Sequence, residues 1–228
     1  GDGNTLRQGP FKEAVKKGCR WLLDRQAENA RNETQAGPTA FSAHILATLA
    51  LCEAFGLSRY TILRPKVQRA VDCIVQARNP GKAWGPFPGD GRNDSFVTGL
   101  ALLALASAQN FADLGLKTPA GDMEGAIAWL DETTDPFTGR AGHSPGGAAP
   151  APPPDLPAFF SPDQSESAAA ICLAARLLAG QDPKAHTLMY RQADLIASNP
   201  PVWAEDGSVD LSYLYFGSSV MLKMGGNH

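Results

Sequence analysis

The sequence has no metal-binding or redox cysteine motif. Its four cysteines, Cys19, Cys52, Cys73 and Cys172, lie far apart with no Cys-x-x-Cys spacing, which argues against a zinc knuckle or a dithiol redox pair. Each sits among helical apolar residues, where a buried free thiol is the ordinary reading; a disulfide between two of them stays open, and so does the compartment. Charge is scarce and balanced: 20 basic against 23 acidic residues leave a net charge of -3. That lacks the concentrated positive field that draws in phosphate backbones, so nucleic acid is not expected as a partner. No window approaches the roughly 18 to 20 uninterrupted apolar residues that cross a bilayer, and Gly1-Asp2-Gly3-Asn4 is not a basic and apolar leader. No transmembrane segment is expected, and the chain reads as a soluble domain, cytoplasmic or exported after loss of a leader or anchor. Against these absences, 43% hydrophobic residues over 228 positions suffice for a sizeable core in one domain spanning 1-228.

Strand signals are nearly absent as well, while apolar residues recur at helical spacing between Gly and Pro clusters, so the fold class is all-α. Eight helices are expected, over 10-27, 39-56, 63-78, 94-110, 120-133, 164-180, 184-199 and 210-225. They alternate in type. The first kind is amphipathic, as in Val15 to Gln26, with charges on one face and Gly18, Trp21 and Leu22 on the other, and is expected to lie half exposed. The second is apolar or small nearly all round, as in Ser95 to Ala108 and Ser167 to Ala175, which fits a helix covered on every side.

An internal repeat organises these pairs. Val15, Val67, Met123 and Tyr190 fall at equivalent places; Gly18, Ala70, Ala126 and Ala193 follow three positions later, and Trp21, Cys73, Trp129 and Ile196 three beyond those. Leu46, Leu100, Ile171 and Phe216 align in the second kind of helix. A small residue at one place in each outer helix permits close approach to the inner one, and the larger residue a turn later is expected to fill the groove between them. The expected architecture is an α/α toroid-like stack of about four hairpins with inner and outer helix layers, an arc or incomplete ring.

The run Lys17-Gly18-x-x-Trp21-Leu22-Leu23-x-x-Gln26, echoed by Arg69-Ala70-x-x-Cys73-Ile74-Val75-Gln76 and then Gly81-x-x-Trp84, resembles the Gln-Trp repeat of the terpenoid (squalene and hopene) cyclase and protein prenyltransferase superfamily. Gly3-Asn4-Thr5, the stretch Ser42 to Ala54, Asp94-Ser-x-Val-Thr-Gly99 and the end Tyr213 to Gly226 are similar to a bacterial group of prenyltransferase-repeat proteins. The resemblance covers nearly the whole chain and implies an α/α toroid. A full ring in that superfamily needs more hairpins than the four counted here. The family's chemistry does not carry over. The cyclase acid Asp-x-Asp-Asp is absent, and Asp131-Glu-Thr-Thr-Asp135 has the wrong spacing. The prenyltransferase zinc ligands are absent too: Phe96 follows Asp94, Ser212 follows Asp210, and Tyr213 stands about where the His would be. No metal and no cofactor are therefore expected, and a thioester Cys-Gly-Glu-Gln, a Gly-x-Ser-x-Gly elbow, a phosphate loop and His-Glu-x-x-His are all missing.

In such a stack every inner helix starts at one rim, so the residues around those starts converge on one mouth. The candidates are Trp84, Phe87 and Asp94, then His143, Phe159, Phe160 and Glu166, then Asp210 and Tyr213, with His44 in the first inner helix as a further one. Each has an ordinary reading. Asp94 and Asp210 stand where N-caps belong, Glu166 lies where a carboxylate complements a helix dipole, His44 reads as a hydrogen-bonded core residue, and Tyr213 as packing. Trp84 and Phe87, in a Gly- and Pro-rich loop, are less readily explained as core. Residues 135-163 carry eight prolines and four glycines in 29 positions, which marks a lid, a partner-binding loop or a disordered spacer over the mouth. Two functions follow: a module that binds a hydrophobic small molecule or a protein partner at the mouth, or an enzyme acting on an isoprenoid, lipid or glycan with Asp94, Glu166, Asp210 and His44 as acid or base. An incomplete ring also exposes apolar ends that a second subunit can cover.

Overall fold

A computed structural model of the chain describes residues 5-29, 38-80, 83-89, 91-142, 166-203, 207 and 209-225. Among these residues there are eight α-helices: α1 (Lys12–Asn29), α2 (Pro38–Ser58), α3 (Arg64–Gln76), α4 (Ser95–Asn110), α5 (Ala120–Thr133), α6 (Ser167–Leu178), α7 (Thr187–Ser198) and α8 (Leu211–Met224). Their only β feature is one antiparallel bridge between Thr134 and Ala141. All eight expected helices are present, with ends displaced by up to three residues.

The expected difference between the two kinds of helix shows in what they bury. α3 buries Val67, Ala70, Val71 and Ile74, and α7 buries Met189, Gln192, Ala193 and Ile196, in both cases the i, i+3, i+4, i+7 stripe of a half-exposed helix. By contrast, α4 is buried continuously from Val97 to Ala108 and α6 from Ala169 to Arg176. The even-numbered helices pack in series, α2 on α4, α4 on α6 and α6 on α8; α1 packs on α2, α3 on α2 and α4, α5 on α4, and α7 on α6 and α8. Gly99 of α4 marks one close approach between α4 and α6. A Cβ there would come within 2.7 Å of Ile171 Cγ2 and 3.6 Å of the Cys172 amide nitrogen in α6, so a larger residue would push the two helices apart.

The terminal helices break the repeat. In α2 Leu46 is 43% exposed, and in α8 only Tyr213, Phe216, Gly217 and Val220 are buried while Leu211, Tyr215 and Leu222 face outward. A helix at the end of a row has a neighbour on one side only, so Leu46 loses the cover that its equivalents Leu100 and Ile171 have, whereas Phe216 keeps its own at 8% exposure. The expectation that Trp21 and Cys73 fill a groove is corrected: Trp21 is 59% exposed on the terminal α1, and Cys73 is exposed because it lies off the Val67, Ala70, Val71 and Ile74 stripe of α3, whereas Ile196 is buried. Cys19, Cys52 and Cys172 are buried free thiols.

One helix bears on the membrane expectation. Residues Ala40–Ser58 form a helix long and apolar enough, at mean hydropathy 1.6, to cross a membrane by length and composition. Ser42, His44, Thr48 and Glu53 interrupt its apolar run, which is why an uninterrupted count misses it. It packs against α1, α3 and α4, and its Glu53 accepts a hydrogen bond from Ser107 Oγ of α4 at 2.6 Å.

Candidate functional site

The starts of α4, α6 and α8 each carry one of the candidate carboxylates. Asp94 is the N-cap of α4, with Oδ1 accepting from the Val97 amide at 2.8 Å, and Asp210 is the N-cap of α8, with Oδ1 accepting from the Tyr213 amide at 2.9 Å. Both satisfy orphan donors of their own first turn, a role that contributes about 1 kcal/mol. Glu166 stands just before α6. Its side chain is 6% exposed, and Oε1 accepts from Arg140 Nη2 at 2.5 Å. Nothing in the residues around Glu166 announces this partner. Arg140 arrives on a turn in which Asp135 accepts from Phe137 and Thr138, and Gly139, at φ +77°, packs against the α7 backbone.

Tyr213 joins Glu166 and Asp210. It is 1% exposed, and its hydroxyl donates to the Asn199 carbonyl. Burial, then the negative charges of Glu166 and Asp210, push its hydroxyl up to about 12, because each opposes a phenolate. Asp94 sits instead beside Cys172, whose thiol is raised to about 12, chiefly by burial. Each of these carboxylates thus stands at the start of a helix, Asp94 at α4, Glu166 at α6 and Asp210 at α8.

His44 does not join them. Its Nε2 lies 3.2 Å from the Ala70 carbonyl of α3, which requires the Nε2–H tautomer, and its ring stacks on Phe41 with centroids 6.5 Å apart. Burial lowers its pKa, against the opposing effect of that hydrogen bond. Trp84 is also placed differently from a pocket wall. It is fully buried, with Nε1 donating to the Ile74 carbonyl at 2.6 Å, and its main chain bonds Thr98 Oγ1 through both N–H and C=O at 3.0 Å. It pins the Gly- and Pro-rich loop to α3 and α4. Phe87, on the same loop, is 36% exposed beneath the Arg92 guanidinium, 5.9 Å from the ring centroid. His143, Phe159 and Phe160, and most of the Pro-rich segment 135-163, lie outside the described residues.

Three exposed aromatics lie on connections between helices. Phe87 is on the α3–α4 connection, Phe137 on the α5–α6 connection at 83% exposure, and Trp203 on the α7–α8 connection at 70%. Each of these connections leads to the start of an even-numbered helix. The sequence candidates do not include Phe137 and Trp203; the signal available is that each lies in the connection leading to an even-numbered helix. Among the described residues no group of three His, Cys, Asp or Glu side chains is placed to hold a metal ion. In comparison with known proteins, no family model, no curated protein and no solved structure matches this chain.

Proposed function

We propose that the chain is a helical-repeat binding module, an α/α toroid-like stack of four hairpins that holds a hydrophobic small molecule or an apolar protein surface at the rim where its inner helices begin. The observation that carries this reading is the exposure of Phe87, Phe137 and Trp203, one on each described outer-to-inner connection. Large aromatics left in water at one rim bring apolar area and stacking faces to a partner at little cost in side-chain entropy. The carboxylates at the starts of the helices that follow support binding over turnover. Asp94 and Asp210 cap their own helices and Glu166 is held by Arg140, so each has a structural duty.

An enzymatic reading keeps one specific observation, the approach of Glu166 and Asp210 to Tyr213. One experiment separates the two. A neutral solvatochromic dye such as Nile red is titrated into the wild type, a Phe87→Ser/Phe137→Ser/Trp203→Ser variant and an Asp94→Asn/Asp210→Asn variant, and each protein is assayed for hydrolysis of nitrophenyl esters and glycosides. Asparagine caps about as well as aspartate but does not transfer a proton. Loss of dye binding in the Ser variant and its retention in the Asn variant is the expected result. Dye binding untouched by the Ser substitutions overturns the binding reading, and turnover abolished in the folded Asn variant replaces it with the enzymatic one.

A further inference from the structure

A groove among the described residues lies where α2 ends and α3 begins. It has a volume of about 760 Å³ and is walled by α1, the segment before it and the Tyr60–Lys66 stretch. Its cationic side chains are Arg7, Lys16, Arg20 and Lys66, against a single carboxylate, Asp24. In a chain of net charge -3, this is a local reversal of sign. Two of the cations are already engaged, Lys16 with Glu13 at 2.8 Å and Arg20 with Asp24 at 4.0 Å. Arg7 and Lys66 pair with no carboxylate among the described residues, and the Arg7 guanidinium lies over the Tyr60 ring, 5.5 Å from its centroid. The rest of the wall is apolar: Leu6 and Cys19 are buried, and Leu23 and Leu63 are half-buried.

Unpaired cations at the edge of an apolar trough define a ligand chemistry. The positive charges need an anion; the leucines need hydrocarbon, whose transfer from water is favourable in proportion to the area covered. The volume falls in the usual range for small-molecule sites, about 300–1,000 Å³, which favours a single ligand over a folded partner. We propose that this groove binds an anionic amphiphile, with a phosphate or carboxylate head at Arg7 and Lys66 and an alkyl chain along Leu6, Leu23 and Leu63. The Tyr60 ring fixes the Arg7 guanidinium at the mouth, so less side-chain freedom is lost when the head arrives. This site and the aromatic rim are separate, and neither reading depends on the other.

The test uses dodecyl phosphate below its critical micelle concentration, measured by isothermal titration calorimetry against the whole chain. 1-Dodecanol, inorganic phosphate and phosphatidylserine vesicles are the comparison ligands. Dodecyl phosphate is expected to bind about tenfold or more tighter than either the alcohol or the free ion, and more weakly as salt rises. An Arg7→Gln/Lys66→Gln variant, whose substitutions are at exposed side chains and whose folding is checked by circular dichroism, is expected to lose about tenfold in affinity. A Leu63→Ser variant separately weakens binding through the chain. The Phe87→Ser/Phe137→Ser/Trp203→Ser variant keeps wild-type affinity for dodecyl phosphate. Equal binding of dodecanol, unchanged affinity in the Arg7/Lys66 variant, loss of binding in the rim variant, or association with vesicles but not with the monomeric amphiphile would each overturn the proposal.

Discussion

Arg140 Nη2 stands 2.5 Å from Glu166 Oε1, so the turn that follows α5 is tied by charge to the residue that opens α6. The pair is asymmetric: the Glu166 side chain is 6% exposed and that of Arg140 is 41% exposed. Removing the cation therefore strands a carboxylate with little water, whereas removing both charges leaves a neutral amide. Arg140→Met is expected to lower stability by about 1–2 kcal/mol, below the figure for a fully buried pair because Arg140 is partly solvated. At this chain length that is a fall of about 2–8 °C in melting temperature. Adding Glu166→Gln to Arg140→Met is expected to restore part of the loss. Calorimetric melts of the single and double variants check this, and a double variant as unstable as the sum of the two singles would show that the pair is not coupled.

A tighter constraint lies at Gly85. A Cβ on this residue would come within 1.8 Å of the Arg92 carbonyl oxygen, and that carbonyl is held in place by Asn79 Nδ2 at 3.0 Å. The neighbouring Trp84 is anchored on Ile74 and Thr98, so neither strand of the loop can retreat. Gly85→Ala is expected to cost about 3 kcal/mol or more by overpacking. Gly89, a few residues on, has φ +76° but open space around its missing Cβ, and Gly89→Ala is expected to cost only the left-handed backbone penalty of about 1–2 kcal/mol. Thermal melts of the two variants should rank them in that order.

The helices and their buried faces are readable in the sequence because periodicity encodes them directly: Val67, Ala70, Val71 and Ile74 sit at the spacing that puts one stripe of α3 against its neighbours. The N-caps are readable for the same local reason, since Asp94 and Asp210 need only their own first turns. Trp84 is not, because a tryptophan in a loop of glycines and prolines carries no local sign of the Ile74 carbonyl that receives its indole N–H. His44 likewise turns toward Ala70 of the next helix, a choice made by tertiary packing. The exposure of Trp21, Leu46 and Leu222 reflects position at an end of the row, which a repeat alignment treats as equivalent to its middle. The groove between Arg7 and Lys66 joins residues from distant parts of the chain, so charge counting along the sequence passes over it.

Burial of the thiols gives the fold a specific weakness in alkali. Cys52 and Cys172 are both pushed from the ordinary 9.0 up to about 12; burial is the main cause in each, with Glu53 adding to it at Cys52, while Arg176 partly opposes it at Cys172. Tyr213 is raised from 10.0 to about 12. Well below pH 9 the folded and unfolded chains both keep these protons, and the three groups leave stability independent of pH. Between about 9 and 12 the unfolded chain releases them while the folded chain holds them, so the folded state binds more protons and stability falls as pH rises. Urea unfolding measured across this range is expected to show that decline, and Cys172→Ala is expected to flatten it even though the cavity lowers stability at neutral pH. Thiol accessibility provides the independent reading. Cys73 is exposed while Cys19, Cys52 and Cys172 are buried, so a thiol-specific chromogenic reagent should modify one cysteine rapidly in the native chain and the other three only at the rate of opening. Rapid reaction of more than one thiol at neutral pH, or a stability that does not fall above pH 9, would contradict the buried placement of these groups.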